Sequence, residues 1–181
     1  MADMNQFLQA YAVYKSTFKE TSYDSEKKIY LCNDETQTVI NFDKVIAEKY
    51  PDPQNSGRPK SFDAIYVFEN RIYCIEFKNQ KFSDIASSDI KEKFRCGREE
   101  LNMLLEKEHV QKKAYEFIYC VCYKDCIEPR DRYKCGVAKG VALYGLADFE
   151  EQKIAKNVFT NSVTFFKKQL QKKMSQQLIC R

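Results

Sequence analysis

Two acidic residues stand out because they flank the most apolar stretch of the sequence. Residues 61–78 consist of two runs rich in β-branched and aromatic side chains, separated by Glu69 and Asn70. Two such runs joined by two polar residues predict a β-hairpin. The predicted hairpin carries Asp63 near its start and Glu76 near its end.

The predicted register brings these two acids together. With Glu69 and Asn70 as the loop, antiparallel pairing places Asp63 opposite Glu76, and Lys78 points to the same face. Directly opposed residues have Cβ atoms roughly 4.5 to 5.5 Å apart, so the two carboxylates repel each other. The other hairpin positions are apolar on both faces, which predicts a sheet that is buried on both sides. Two adjacent carboxylates at the rim of such a sheet need a compensating positive charge.

A divalent cation is a compensation that suits oxygen ligands. Mg²⁺ binds carboxylates, keeps several of its waters and accepts phosphate oxygens. Such an ion can polarise a phosphodiester, lower the pKa of an attacking water and stabilise the leaving oxygen. Lys78 would orient that water or offset charge in the transition state. The pattern therefore predicts metal-assisted hydrolysis of phosphodiester bonds.

Asp63, twelve further residues and then Glu76-Phe77-Lys78 resemble the signature of the PD-(D/E)xK nuclease superfamily. The resemblance covers roughly residues 40–125 and implies a restriction-endonuclease-like core. It implies Asp63, Glu76 and the backbone carbonyl of Phe77 as ligands of one or two Mg²⁺ or Mn²⁺ ions, with Lys78 assisting the catalytic base. Phe62 stands where that family usually has a proline before the aspartate. The implied activity is endonucleolytic cleavage of nucleic acid, with DNA ahead of RNA.

Many members of this superfamily add a glutamate from the preceding helix to the site. Glu48 is the first candidate for that catalytic position, and Glu20 is the second. Contacts to nucleic acid are expected from residues that flank the motif, namely Arg58, Lys60, Gln80 and Lys81. Lys93 and other cations of the following segment are further candidates for phosphate contacts.

Hydrophobic periodicity predicts the elements that must position this site. Helices are expected at Asn5 to about Phe18, Lys44–Lys49 and Ser88 to about Glu108, and strands at Lys28–Cys32, Thr38–Phe42 and Tyr115–Tyr123. Residues 140–146 predict one more strand, and residues 149–176 predict one or two closing helices. This order predicts an α/β fold with a central mixed sheet flanked by helices.

Length and composition predict one domain over residues 1–181, with its core at about 40–125. Hydrophobic residues make up 44% of the chain and charged residues 31%, which is a globular balance. The net charge of +4 permits a polyanionic partner. The basic C-terminal helical region at about 149–181 contains no acid after residue 151 and could bind phosphate.

No basic segment followed by an apolar stretch opens the chain, and no run of about 18 apolar residues occurs. These patterns predict an intracellular protein, cytoplasmic or nuclear, that does not cross a membrane. A homodimer is a further expectation, because the cutting of two strands often requires two sites.

Two other functions remain open. A catalytically inactive module with the same fold could bind nucleic acid or a protein partner. Alternatively, four clustered thiols could hold a metal, namely Cys120, Cys122, Cys126 and Cys135. Their spacing fits no standard zinc or iron-sulfur pattern, and the first two fall on one face of a predicted core strand. His109 is the only histidine, which argues against catalytic triads and multi-histidine zinc sites.

Overall fold

A computed structural model of the protein describes residues 4–51, 57–125 and 144–168. Six strands form one sheet: β1 (Lys15–Thr17), β4 (Thr38–Asn41), β5 (Ala64–Phe68), β6 (Arg71–Lys78), β7 (Glu116–Tyr123) and β8 (Asn157–Ser162). A separate small hairpin consists of β2 (Tyr23–Asp24) and β3 (Ile29–Tyr30). The helices are α1 (Met4–Ala10), α2 (Phe18–Thr21), α3 (Phe42–Lys49), α4 (Ser87–Lys107) and α5 (Ala147–Glu151), and residues 163–168 are also helical.

The sheet is mixed, as the order of elements predicts. Its strands lie in the order β1-β4-β5-β6-β7-β8. Pairing is antiparallel from β1 to β6, whereas β6, β7 and β8 run parallel to one another. The predicted α/β fold with a central mixed sheet and flanking helices is therefore confirmed. None of the helices in the described ranges is both long and apolar enough to cross a bilayer.

The hairpin of β5 and β6 has the predicted register. Phe68 pairs with Arg71 across the turn, and Ala64 pairs with Ile75 at the far end. Glu69 has a φ of 52°, which places it in the left-handed region that tight hairpin turns use. Side chains on the two faces of the hairpin belong to two separate hydrophobic clusters. The hairpin is thus buried on both sides, and β6 is a central strand of the sheet.

Two predicted helices are shorter than the sequence pattern indicates. The first ends at Ala10, and Lys15–Thr17 instead pair with β4 as an edge strand. In the closing region α5 ends at Glu151, and β8 follows it and pairs with β7. Pairing with a distant strand outweighs the local helical spacing at both places. Residues 140–143 and 169–176 lie outside the described ranges.

Aromatic stacking fixes the chain where it enters β5. Phe62 is fully buried between Phe42 and Phe94, with ring centroids 4.6 and 5.6 Å away. Gly97 of α4 makes room for this ring, because an added Cβ would lie 2.8 Å from two of its carbons. The position next to Asp63 is therefore held by packing.

We expect Gly97→Ala to lower the free energy of unfolding by about 1 to 3 kcal/mol, because the added methyl overpacks the core against Phe62. Alanine is a better helix former than glycine, so helix propensity alone predicts that the substitution raises the free energy of unfolding. Urea unfolding measures the difference. Gly57→Ala is the matched control, since nothing lies within 4 Å of its added Cβ. A Gly97→Ala protein as stable as the wild type would show that the Phe62 ring moves at no cost.

Candidate active site

Asp63 lies immediately before β5, at the point where that strand begins to pair with β6. Its Oδ2 accepts a hydrogen bond of 2.5 Å from the backbone N–H of Phe77. Its backbone carbonyl accepts a hydrogen bond of 2.9 Å from the N–H of Phe42, the first residue of α3. Because Ala64 pairs with Ile75, the next position along the ladder sets Asp63 against Glu76. The two acids therefore share one end of the hairpin.

Glu76 is the most deeply buried charged residue of the site. The residue is 1% exposed, and the residues directly before and after it on β6 are buried and apolar. Its Oε1 accepts a hydrogen bond of 2.7 Å from Lys93 and forms an ion pair of 3.1 Å with Lys78. Its Oε2 is buried without a hydrogen-bond partner among the described residues. Buried carboxylate oxygens without a partner are rare, and they often mark the place of an ion or a functional group.

The two lysines reach Glu76 from different elements. Lys78 follows it by two residues on β6, and its Nζ also donates to Asp89 of α4 over 3.0 Å. Lys93 reaches it from α4. Lys93, which the sequence predicts as a phosphate contact, instead lies against a carboxylate. Ile90 and Gly97 are buried at helical spacing on either side of Lys93, and this spacing was the signal that it faces the sheet.

Burial and mutual repulsion govern the protonation of the two acids. Burial first and the Glu76 carboxylate second raise the pKa of Asp63 well above its usual value. Burial also raises the pKa of Glu76, even though Lys93 and Lys78 act to lower it. Burial alone would lower the pKa of Lys93, but Glu76 and Asp63 outweigh it and raise that pKa. A further positive charge at this end of the hairpin would therefore be stabilised.

We expect Asp63→Asn to raise the free energy of unfolding by about 1 kcal/mol at neutral pH, because it removes one of two repelling carboxylates. The asparagine oxygen can still accept the hydrogen bond from Phe77. Because folding raises the pKa of Asp63, the wild type loses stability as pH rises above about 4, where the unfolded state releases that proton. The advantage of the variant should therefore grow across that window and vanish in acid. Unfolding curves at several pH values test this, and an advantage independent of pH would contradict the assignment.

Asp43, in the first turn of α3, acts on the pair electrostatically. Ser61 donates a hydrogen bond to its Oδ1, and Arg58 donates one of 2.8 Å to its backbone carbonyl. Besides burial and Glu76, Asp43 contributes to the raised pKa of Asp63. The structure does not bring Glu48 to this place. Glu48 lies in the last turn of α3. It interacts there with Tyr14, whose pKa is raised first by the burial of Tyr14 and second by the Glu48 carboxylate.

A cleft of about 330 Å³ opens beside Asp63. Its walls include Asp43 and Arg58, and Glu20, the second glutamate candidate, lines it as well. The cleft also contains Tyr23 of the small hairpin. Acidic groups that could hold a cation and a cation that could meet a phosphate thus face one accessible space.

The predicted nucleic-acid contacts divide into two pairs. Arg58 and Lys60 are held by acids around the site: Arg58 by Asp43, and Lys60 by Asp89 and Glu92 over 3.1 and 2.6 Å. Gln80 and Lys81 are exposed just after the end of β6. Arg58 and Lys60 precede Asp63 by a few residues, and Gln80 and Lys81 follow Lys78 by a few residues.

A larger cleft, of about 510 Å³, lies where β7 begins. Five cations line it, and its two acids already have partners: Glu116 pairs with Arg71 and Lys156, and Glu150 accepts a hydrogen bond from the backbone N–H of Val158. Neither acid is thus without a partner among the described residues, unlike Glu76 Oε2. The chemistry therefore favours the smaller cleft.

The two described thiols of the predicted cysteine cluster are part of the core. Cys120 and Cys122 are buried in the hydrophobic cluster on the face of the sheet opposite Asp63, and Cys126 and Cys135 lie outside the described ranges. His109 is exposed. Within residues 4–51, 57–125 and 144–168, no three His, Cys, Asp or Glu side chains are grouped to hold a metal. A metal at the hairpin end would need a backbone carbonyl or water beside its two carboxylates.

Comparison with protein-family models, curated proteins and solved structures found no match for this chain.

Proposed function

We propose that this protein is a metal-dependent nuclease that cleaves internal phosphodiester bonds of nucleic acid, DNA ahead of RNA, on a restriction-endonuclease-like core. One observation carries the proposal. Asp63 and Glu76 meet at the end of a doubly buried hairpin beside Lys78, and Glu76 Oε2 is buried there without a hydrogen-bond partner among the described residues. Ion pairs with a purely structural role rarely leave a charged oxygen buried without a hydrogen-bond partner.

The residues present fit a hard divalent cation such as Mg²⁺ or Mn²⁺. Asp63 and Glu76 offer carboxylate oxygens, which are the ligands these ions prefer. The raised pKa values of both acids mean that added positive charge would favour their ionised forms. When bound, such an ion supplies Lewis-acid polarisation of the phosphodiester and a water of lowered pKa.

The backbone of Phe77 supports a third ligand. Its N–H points to Asp63, and a residue in an antiparallel ladder presents its N–H and its carbonyl to the same neighbour. The pairing between β5 and β6 ends at Ala64, so no residue of β5 is paired with Phe77. Its carbonyl is thus directed to the side of the strand that carries Asp63.

Lys78 has the reach and the charge to act on the reacting groups. Its ammonium lies between Glu76 and Asp89, 3.1 and 3.0 Å away, and its side chain is partly exposed. It can donate a hydrogen bond to an attacking water and attract a phosphate oxygen. Hydrolysis adds that water to phosphorus and breaks one P–O ester bond, and the leaving oxygen takes up a proton.

Lys93 and Asp89 are positioning residues in this scheme. Lys93 holds Oε1 of Glu76, and Asp89 holds the ammonium of Lys78. Both side chains come from the first half of α4, which packs against the sheet through Ile90 and Phe94. The helix thereby orients a carboxylate and an ammonium that are both on β6.

The experiment is cleavage of supercoiled plasmid, linear DNA and RNA by the purified chain with Mg²⁺, Mn²⁺ or EDTA. We expect nicking with metal and none with EDTA. Lys78→Ala should lower the rate by at least about 100-fold, since it removes an electrostatic donor from the reacting centre. Lys91→Ala, prepared in the same way, is the control, because the half-exposed Lys91 pairs only with the surface acid Asp148 among the described residues. Equal rates for both variants would remove Lys78 from the mechanism and point to a contaminating enzyme.

One observation favours the alternative of a catalytically inactive module. Two ammonium groups already contact Glu76, so part of its charge is neutralised without a metal. If that neutralisation suffices, the chain will bind nucleic acid without cutting it and will show no metal-induced stabilisation. Thermal unfolding with and without Mn²⁺ separates the two, because a ligand present at 100 times its dissociation constant adds about 2.7 kcal/mol of stability.

A homodimer and an intracellular location stay predictions.

A further inference from the structure

The small hairpin of β2 and β3 presents apolar side chains to solvent. Tyr23, Ile29 and Tyr30 are 45%, 42% and 40% exposed, and they are three of the five large hydrophobic residues exposed in the described ranges. The rings of Tyr23 and Tyr30 lie against each other, with centroids 4.8 Å apart and planes at 42°. An exposed aromatic pair on so short a hairpin contributes little to the core, so its exposure calls for a functional reason.

This hairpin is anchored to the candidate active site. The side-chain amide of Asn79 donates to Asp24 over 3.0 Å, and the ammonium of Lys27 donates to the carbonyl of Asn79 over 2.6 Å. Asn79 is the residue directly after Lys78. Tyr23 moreover lines the same cleft as Asp63. Tyr23 is therefore held at the cleft that contains Asp63, and Tyr30 lies against it.

Positive charge accompanies these rings. The ammonium of Lys19 lies 5.3 Å from the centre of the Tyr30 ring. Lys27 and Lys28 are exposed in the turn between the two strands, and Lys44 lines the cleft. Aromatic rings interleaved with cations are the combination that binds unpaired bases and their phosphates. A duplex keeps its base faces stacked on one another and offers phosphates and groove edges instead.

Resting on the proposed nuclease function, we infer that Tyr23 and Tyr30 form a stacking platform for unpaired bases, so that single-stranded segments of nucleic acid are bound in preference to duplex. A strand whose bases stack on this platform has its phosphates beside the cleft that contains Asp63. The platform supplies affinity without base-edge readout, because every base has a face to stack. The expected preference is thus for the unpaired state and not for a sequence.

Binding is measured apart from cleavage, with Glu76→Gln protein in EDTA and labelled 20-nucleotide DNA and RNA in single-stranded and duplex forms. We expect tighter binding of the single strands. Tyr30→Ala should weaken that binding about tenfold, with a smaller effect on the duplex, since loss of one stacked base costs on the order of 1.4 kcal/mol. Tyr30→Phe should retain most of the affinity, because it keeps the ring. Met103→Ala, which removes an exposed apolar side chain from α4, is the control and should bind as Glu76→Gln alone.

The outcomes separate this inference from the nuclease proposal. Equal affinity for single strands and duplex, or an unchanged affinity in Tyr30→Ala with unchanged melting temperature, overturns the platform even if plasmid is cleaved. A platform that serves a protein partner would give that same result. Tyr30-dependent binding of single strands by a chain that cleaves no substrate supports the platform and removes the nuclease proposal.

Discussion

Glu76→Gln is expected to lower metal-dependent cleavage at least about 1000-fold, because loss of a metal-binding carboxylate forfeits several kcal/mol of transition-state stabilisation. The substitution keeps the shape of the side chain and one oxygen that can accept the hydrogen bond from Lys93. It removes the charge that would hold the cation and leaves Lys78 and Lys93 with one acid fewer. The measurement is single-turnover cleavage of plasmid at saturating Mg²⁺.

Two controls make this result specific. Glu99→Gln removes an exposed carboxylate of α4 that pairs only with Arg95 four residues earlier among the described residues, and it should cleave as the wild type does. Titration of Mn²⁺ followed by its paramagnetic resonance reports metal binding independently of activity, and the Glu76→Gln protein should bind at least tenfold more weakly. Cleavage by Glu76→Gln within tenfold of the wild-type rate would rule out this acid as a ligand.

Lys93→Met is expected to lower the free energy of unfolding by about 3 kcal/mol at pH 7, because it leaves the buried Glu76 without its shorter ion pair. The side chain of Lys93 is 21% exposed, so the low end of the range for broken buried pairs applies. Methionine has a similar volume and retains most of the packing. Because the pKa of Lys93 is raised in the folded protein, the wild-type pair is fully formed at neutral pH.

The pH dependence of this variant identifies the cause. Without Lys93, the raised pKa of Glu76 rises further, and the acid can relieve its burial by binding a proton. The deficit of Lys93→Met should therefore shrink as the pH is lowered from 7 toward 5. Lys91→Met, two positions earlier on α4, breaks a surface pair and should cost no more than about 0.5 kcal/mol. A Lys93→Met protein as stable as Lys91→Met would show that the buried pair contributes nothing net.

The expected effects of Asp63→Asn and Glu76→Gln connect stability with function. Both should abolish metal-dependent cleavage, but Asp63→Asn relieves repulsion, whereas Glu76→Gln leaves Lys93 buried with a weaker partner. A more stable but inactive Asp63→Asn protein is what a site held under electrostatic repulsion predicts. A cation bound at the end of the hairpin would remove the same repulsion.

The register of the hairpin followed from the sequence because two local rules agree. Side chains alternate with a period of two, and Glu69-Asn70 provides a polar turn between the two apolar runs. Together they set Asp63 against Glu76 before any tertiary information is used. The strand pairing in the structure has this register.

Which acid of α3 acts on the pair could not be predicted in this way. Asp43 and Glu48 lie at opposite ends of α3, and both are compatible with a helix that precedes the hairpin. Docking of α3 decides between them, because the N–H of Phe42 binds the carbonyl of Asp63 and brings the first turn of the helix to the sheet. The two edge strands likewise depend on pairing with distant residues, which helical spacing does not report.

By itself, the sequence determined that two carboxylates and a lysine share one end of a buried hairpin, since pleat and turn are local properties of contiguous residues. Only the tertiary structure decided which side chains surround them. Lys93 lies 17 residues from Glu76 and Asp43 lies 20 residues from Asp63, and each is brought into place by the packing of a helix against the sheet. Helix packing depends on the complementarity of whole surfaces, so its outcome is not contained in any short stretch of residues.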